Sequence, residues 1–244
     1  MKNSKQQVGE LIFGIHPVLE VLKAKRRKII SIYTTKPEPK AWDDIQALMP
    51  KYHVAIQYVA RDVLHKMAGT TDHQGIVAWV QSFGFQKNFF DPKKAPFLVM
   101  LDGIQDPRNV GAILRSAYCT GANGVVLVKR EASPLTASAF KASAGLAEHL
   151  NIYMAASPNA AAQELKKAGY TMYLATFKGK NALEVEFKEP LCLVVGSEGR
   201  GVSKELEPMG IPVTLAQKTS NISYNASVAS GILLYIIATQ LKKI

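Results

Sequence analysis

Three short stretches carry residues that could do chemistry. Gly196-Ser-Glu-Gly-Arg-Gly201 follows the apolar run 191–195, so a buried strand runs into a turn whose glycines let backbone pass close to a ligand. Ser223-Tyr-Asn-Ala-Ser227 sets small polar residues where an N-cap belongs, directly ahead of a long apolar helix. Asn109-Val-Gly-Ala-Ile-Leu-Arg115 places an amide at a helix start, where it can cap, and a guanidinium one to two turns further along among small apolar neighbours. Two strand ends and a helix start thus present backbone donors and acceptors together, as a ligand site would need. Each also has a plain structural reading: a tight strand-to-helix turn for the glycines, and an arginine stem covering apolar surface for Arg115.

The glycine order narrows the chemistry. Gly196-x-x-Gly199-x-Gly201 is neither the G-x-G-x-x-G of a dinucleotide fold nor a P-loop, since no Lys-Ser/Thr follows it. The chain also lacks a suitably placed acidic ribose reader after the loop, which counts against a nicotinamide-dependent oxidoreductase. Cys119 and Cys192 stand far apart with no His or Cys at ligand spacing, and the five histidines form no H-x-x-x-H pair, so neither a metal site nor a disulfide framework is expected. His73, in the polar turn 70–75, reads as a structural loop residue.

The elements that must position these residues alternate along the whole chain. In the first 80 residues, strands at 29–33, 53–57 and 76–80 alternate with helices at 17–22, 42–49 and 61–67, the pattern of a small α/β domain. The stretch from Phe83 to Pro96 holds two prolines and three lysines without periodicity, so residues 83–95 read as a linker, whose phenylalanines could pack on a surface or stack on bases. From residue 96, strands near 97–101, 125–128, 152–154, 170–175 and 191–195 alternate with helices, including one over 140–148. That implies a mostly parallel sheet covered on both faces. The expected domains are therefore 1–82, a linker 83–95, and 96–244.

The net charge of +11 is the footprint of a polyanion partner. Residues 1–82 hold 12 Lys and Arg against 7 Asp and Glu, which makes them the main grip on nucleic acid; a basic surface kept for solubility is the alternative. Within the cationic run 23–28, Lys25, Arg26 and Lys28 are the expected RNA contacts, a role compatible with a helix C-terminus. The longest apolar run, about 13 residues near the C-terminus, is short of the roughly 18–20 that span a bilayer. The N-terminal residues carry no recognisable targeting pattern, so a reducing cytoplasm is the expected location.

In order and spacing, the three stretches resemble the motifs of the SpoU/TrmH branch of the SPOUT methyltransferases. Phe13-Gly-Ile-His-Pro17 and His73-Gln-Gly75 resemble the N-terminal substrate-binding domain of its long members. Ser133-Pro-Leu-Thr136 and Ala144-Gly-Leu-Ala-Glu-His149 look most like the large-subunit ribosomal RNA guanosine-2′-O-methyltransferases. The resemblance implies an α/β SPOUT fold with a C-terminal trefoil knot, preceded by a small α/β RNA-binding domain. It also implies a homodimer with active sites near the interface, and S-adenosylmethionine held in the knot without a metal. The cofactor contacts would be Gly196, Gly199, Ile211, Tyr224 and Asn225. Arg115 would be the catalytic residue, with Asn109, Glu198, Ser223, Asn225 and Ser227 beside it. Tyr224 stands where the family usually has Leu, and the connection from 211 to 223 is longer than usual. A guanidinium with a pKa above about 12 suits a clamp on phosphate better than a proton acceptor. A transfer RNA substrate and a non-catalytic RNA-binding protein with the same fold are the competing readings.

Overall fold

The computed structural model describes residues 9–129, 133–218 and 222–244. The N-terminal segment read for targeting signals and residues 219–221 of the 211–223 connection lie outside them. The chain forms two compact units. One comprises residues up to Gly84 together with Ala144–His149, the other Phe85–Ser143 and Leu150–Ile244.

The first unit runs β1 (Gly9–Phe13), α1 (Ile15–Ala24), β2 (Ile29–Thr34), α2 (Trp42–Ala47), β3 (Ala55–Tyr58), α3 (Arg61–Ala68) and β4 (Ile76–Gln81). Its sheet has the order β1-β4-β2-β3, with β4 antiparallel to both neighbours and β2 parallel to β3. Ile12, Ile32 and Ala78 pair across its middle and are fully buried with Val18 and Leu64, so the alternating pattern does fold as an α/β layer.

A helix through 140–148 does not form. Helix α5 (Ala137–Ala142) stops early, because Ala144 and Gly145 adopt positive φ (53° and 81°) and turn the chain into a short 3-10 helix at Leu146–His149. A Cβ at Gly145 would lie 2.8 Å from the Glu20 Cβ and 2.9 Å from the His16 carbonyl, so only glycine lets this segment lie against α1. Arg27 is therefore not a solvated member of the basic run. Its guanidinium binds Glu148 through Nε (3.0 Å) and, more closely still, Nη2, while Nη1 donates to Glu10 at 2.8 Å. Burial pushes the Glu148 carboxyl up against the pull of Arg27. Nearby, His149 Nε2 lies 2.7 Å from Glu20, whose other oxygen accepts from Lys23 at 2.7 Å.

The second unit runs β5 (Phe97–Asp102), α4 (Pro107–Cys119), β6 (Gly124–Val128), α5, β7 (Ile152–Ala155), α6 (Pro158–Ala168), β8 (Thr171–Asn181), β9 (Leu191–Gly196), β10 (Ile211–Thr214) and α7 (Ala226–Gln240). All six strands are parallel, in the order β10-β8-β9-β5-β6-β7. Strands β5, β6 and β9 are buried throughout, as their near-continuous apolar content requires of a sheet covered on both faces. The stretch before β5 is packed: Phe90 is 5% exposed, Phe89 meets Tyr153 and Tyr170 edge to face, and Tyr170 donates to the Ala95 carbonyl at 2.7 Å. The ladder between β8 and β10 shifts register: Pro212 pairs with Leu174 and Val213 with Lys180, so residues 175–179 fall between consecutive partners of β10. No helix of the described residues is long and apolar enough to cross a membrane.

From β5 the chain progresses to β6 and β7 on one side, while β9 and β8 lie on the other. The order thus reverses between β5 and β9, whose C-terminal residues Asp102 and Gly196 stand side by side. In open α/β sheets, that reversal opens a crevice beyond the strand ends.

Candidate active site

Three elements converge on this crevice. Helix α4 starts at Pro107 and is capped by Asp106, whose Oδ1 accepts from Arg108 N at 2.8 Å. The expected cap, Asn109, lies inside the first turn instead, because Asp followed by Pro is the stronger start signal. Its side chain is thereby free to reach across, and Asn109 Nδ2 donates to Glu198 Oε1 at 2.6 Å.

Glu198 projects from the loop after β9. Ser197 and Gly201 exchange two backbone hydrogen bonds, 3.1 and 2.8 Å, which close the loop and leave residues 198–200 exposed at its tip. The closure needs glycine: a Cβ at Gly196 would sit 2.0 Å from the Gly201 carbonyl carbon. The far arm is pinned by a residue the sequence did not single out. Buried Asp102, at the end of β5, accepts from Ser203 N (2.7 Å) and Ser203 Oγ (3.0 Å). An aspartate ending an otherwise apolar strand was its only signal.

The third element is the start of α7, where Asn225 is the N-cap, as its position ahead of the apolar helix requires. Its Oδ1 accepts from Ser227 N (2.9 Å), Ser227 Oγ (2.6 Å) and Val228 N (3.4 Å). Its Nδ2 donates to Glu198 Oε1 at 2.7 Å and to Asn109 Oδ1 at 3.2 Å. One carboxylate oxygen thus receives two amides from different helices, a charge-assisted arrangement that ties residues 109, 198 and 225 together.

Two cavities share the 197–202 loop as a wall. One, of about 610 Å³, is bounded by residues 174–178 of β8, by β10 and by the start of α7; Gly196, Glu198, Gly199, Ser223 and Tyr224 line it. The other, of about 780 Å³, lies towards the α4 start and is lined by residues 102–106, Asn109, Pro158 and 197–205. Asn225 and Ser227 line neither; their side chains cap α7. Ile211 is 45% exposed and also off the walls, which begin at Pro212. Arg115 is exposed, lines neither cavity and has no partner among the described residues. In the first unit, Lys25, Arg26 and Lys28 are exposed; Lys25 ends α1 in the left-handed conformation, and the Lys28 ammonium lies 5.5 Å from the Tyr52 ring centre.

Comparison with known proteins follows this division. The family model described as "SpoU rRNA Methylase family" matches residues 96–235, and the one described as "RNA 2'-O ribose methyltransferase substrate binding" matches residues 11–86. The chain is 32% identical to the putative TrmH family tRNA/rRNA methyltransferase YacO of Bacillus subtilis, over 94% of this chain and 95% of that one. It is 31% identical to the 23S rRNA (guanosine-2'-O-)-methyltransferase RlmB of Shewanella oneidensis, over 93% and 95%. The AdoMet-bound rRNA methyltransferase from Sinorhizobium meliloti superposes with a TM-score of 0.80 at 21% identity, covering 96% of this chain and 88% of that one.

Proposed function

We propose, on the premise that the chain belongs to the SpoU rRNA methylase family and is an RNA 2′-O-methyltransferase using S-adenosylmethionine, that it acts in the cytoplasm on a guanosine of large-subunit ribosomal RNA. The observation that carries the site assignment is the meeting of Asn109, Glu198 and Asn225 on a loop that borders two cavities.

The cavity of about 610 Å³ fits the cofactor in size and in chemistry, since glycines, small polar residues and the Glu198 carboxylate line it beside apolar Val195, Val202 and Leu233. Gly196, Gly199, Ser223 and Tyr224 are the residues of this chain that would hold it, with Asn225 fixing the loop and Ile211 opening the strand behind it. Bound there, the cofactor supplies an electrophilic methyl group on a sulfonium. Positioning supplies most of the rate in such a displacement, and the site residues serve it. Glu198, ordered by two amides, orients the polar groups of the acceptor ribose; Asn109 and Asn225 hold Glu198, and Ser227 holds Asn225. Arg115 clamps an RNA phosphate.

The homodimer supplies the remaining geometry. Val228 (49% exposed), Ile232 (38%) and Tyr235 (61%) share one face of α7 at helical spacing. Arg115, Tyr118 and Cys119 share an exposed face of α4, and the two helices meet where a Cβ at Gly231 would be 3.5 Å from Ser116 Oγ. An exposed apolar face of this kind suits a second copy, which would bring Arg115 towards a reaction centre it does not reach within one chain. The family's trefoil knot would lie where β8 and β10 shift register, packed closely enough that a Cβ at Gly179 would lie 2.6 Å from the Pro212 backbone. The N-terminal domain grips RNA through Lys25, Arg26 and Lys28.

Mapping 2′-O-methyl groups on RNA from cells with and without the protein tests the substrate. A single guanosine of large-subunit RNA should lose its methyl group; loss confined to transfer RNA would overturn that choice. Arg115→Ala should abolish transfer while cofactor binding, followed by calorimetry, stays intact.

A further inference from the structure

The cavity of about 780 Å³ on the α4 side of the 197–202 loop is not needed to hold the cofactor, yet Asn109 and Glu198 border it. Most of its polar groups are committed. Asp102 accepts twice from Ser203, Asp106 caps α4 and binds the Arg108 guanidinium at 3.2 Å, and Glu198 accepts from two amides. Three lining side chains, Gln105, Lys204 and Glu205, are exposed and have no partner among the described residues.

These three groups differ in chemistry and are held on firm backbone. Lys204 and Glu205 open the 3-10 helix Lys204–Met209, which is fixed on one side by the bonds from Ser203 to Asp102 and on the other by Leu206, fully buried. Gln105 lies one residue before the cap of α4. Between them, Pro158 and Val202 give the cavity apolar surface. An amide, a free carboxylate, an ammonium and an apolar wall match the parts of one extruded nucleotide: base edge, phosphate and base face.

The geometry points to this cavity as the seat of the target nucleoside, with Glu205 reading the base edge, Gln105 assisting and Lys204 meeting a flanking phosphate. This rests on the methyl-transfer reading above and adds the residues that choose the base. An unpartnered carboxylate offers two acceptors side by side. Guanine alone among the four RNA bases presents two adjacent N–H donors, N1–H and the N2 amine, so Glu205 favours guanine. The nucleoside's ribose then faces Asn109 and, on the 197–202 wall that both cavities share, Glu198.

The test uses the full-length protein, a synthetic RNA carrying the target guanosine, and the same RNA with inosine there, which lacks the N2 amine. Wild type should prefer guanosine by about 10- to 100-fold in kcat/KM, the worth of one paired base contact. Glu205→Gln should lose most of that preference by lowering kcat/KM for the guanosine RNA, leaving the inosine RNA and cofactor affinity little changed. An equal fall on both RNAs, or no fall on either, would overturn the assignment while leaving the methyltransferase reading in place. If wild type transfers no methyl to any RNA, the reading falls and takes this inference with it.

Discussion

Replacing Asn225 with Asp preserves one task of this side chain and destroys the other. The aspartate oxygen in place of Oδ1 still accepts from Ser227 N and Val228 N, so α7 keeps its cap. The second oxygen, however, replaces an amide nitrogen that stands 2.7 Å from Glu198 Oε1 and 3.2 Å from Asn109 Oδ1, turning two attractions into repulsions. The lost bonds, one charge-assisted and exposed, the other part-buried, amount to about 2 kcal/mol. If the arrangement is held into the transition state, kcat/KM falls about 30-fold. Two carboxylates this close share one proton, so the pair should protonate above the usual carboxylate range. Once protonated, the introduced carboxyl donates again to Glu198, and the variant should regain activity as the pH is lowered, a limb absent from wild type. Asn225→Ala is the contrast: it loses the cap, about 1 kcal/mol of stability, together with the network. Transfer of radiolabelled methyl across a pH series, with denaturant melts of all three proteins, checks both arms. Wild-type activity in Asn225→Asp near neutral pH, or a deficit without acid recovery, would refute the role given to the Glu198 cluster.

Arg27→Ala leaves the buried Glu148 carboxylate uncompensated and should cost about 3–5 kcal/mol, whereas Arg27→Met combined with Glu148→Leu should recover most of the loss. Both tryptophans, Trp42 and Trp79, lie in the first unit, so their fluorescence in a urea titration follows that unit directly. The same signal reads a pH effect. Burial alone would raise the Glu20 carboxyl, but hydrogen bonds from Lys23 and His149 bring it below its ordinary 4.5. Its contribution is therefore present above that value and lost as the pH falls through the lowered one, and Glu20→Gln should remove that part of the acid sensitivity. Glu148, pushed upward, acts in the opposite sense, so the Glu20→Gln comparison is what isolates the effect. Replacing Lys25, Arg26 and Lys28 with Ala should flatten the log–log salt dependence of RNA binding by about 2–3 without altering cofactor affinity; an unchanged slope would leave the cluster as a helix terminus only.

Local pattern made much of this legible. The apolar runs before Gly196 and after Pro96 are buried strands, and the cap ahead of α7 falls at Asn225, because strand burial and helix capping are written within a few residues of themselves. Glu198 and Asn109 could be singled out by motif, yet their mutual bond spans 89 residues and belongs to the fold. Arg27 was hidden among four cations of like appearance, since composition cannot tell which member of a charge run turns inward. The helix at 140–148 broke because Gly145 meets α1 at Glu20, far away in sequence. Asp106 displaced Asn109 as cap for a local reason, the following Pro107, and was there to be read.

Six residues, Ala144–His149, leave the methyltransferase part of the sequence and finish the first unit. The chain therefore passes between the two bodies three times, and no single cut separates them. A gene fragment ending at Gly84 would encode the RNA grip without Glu148 and His149, leaving Arg27 short of its deeper carboxylate and Glu20 short of its imidazole. Chimeras that exchange this module with a relative must carry the later hexapeptide along with the first 84 residues, or inherit a misfit at its centre.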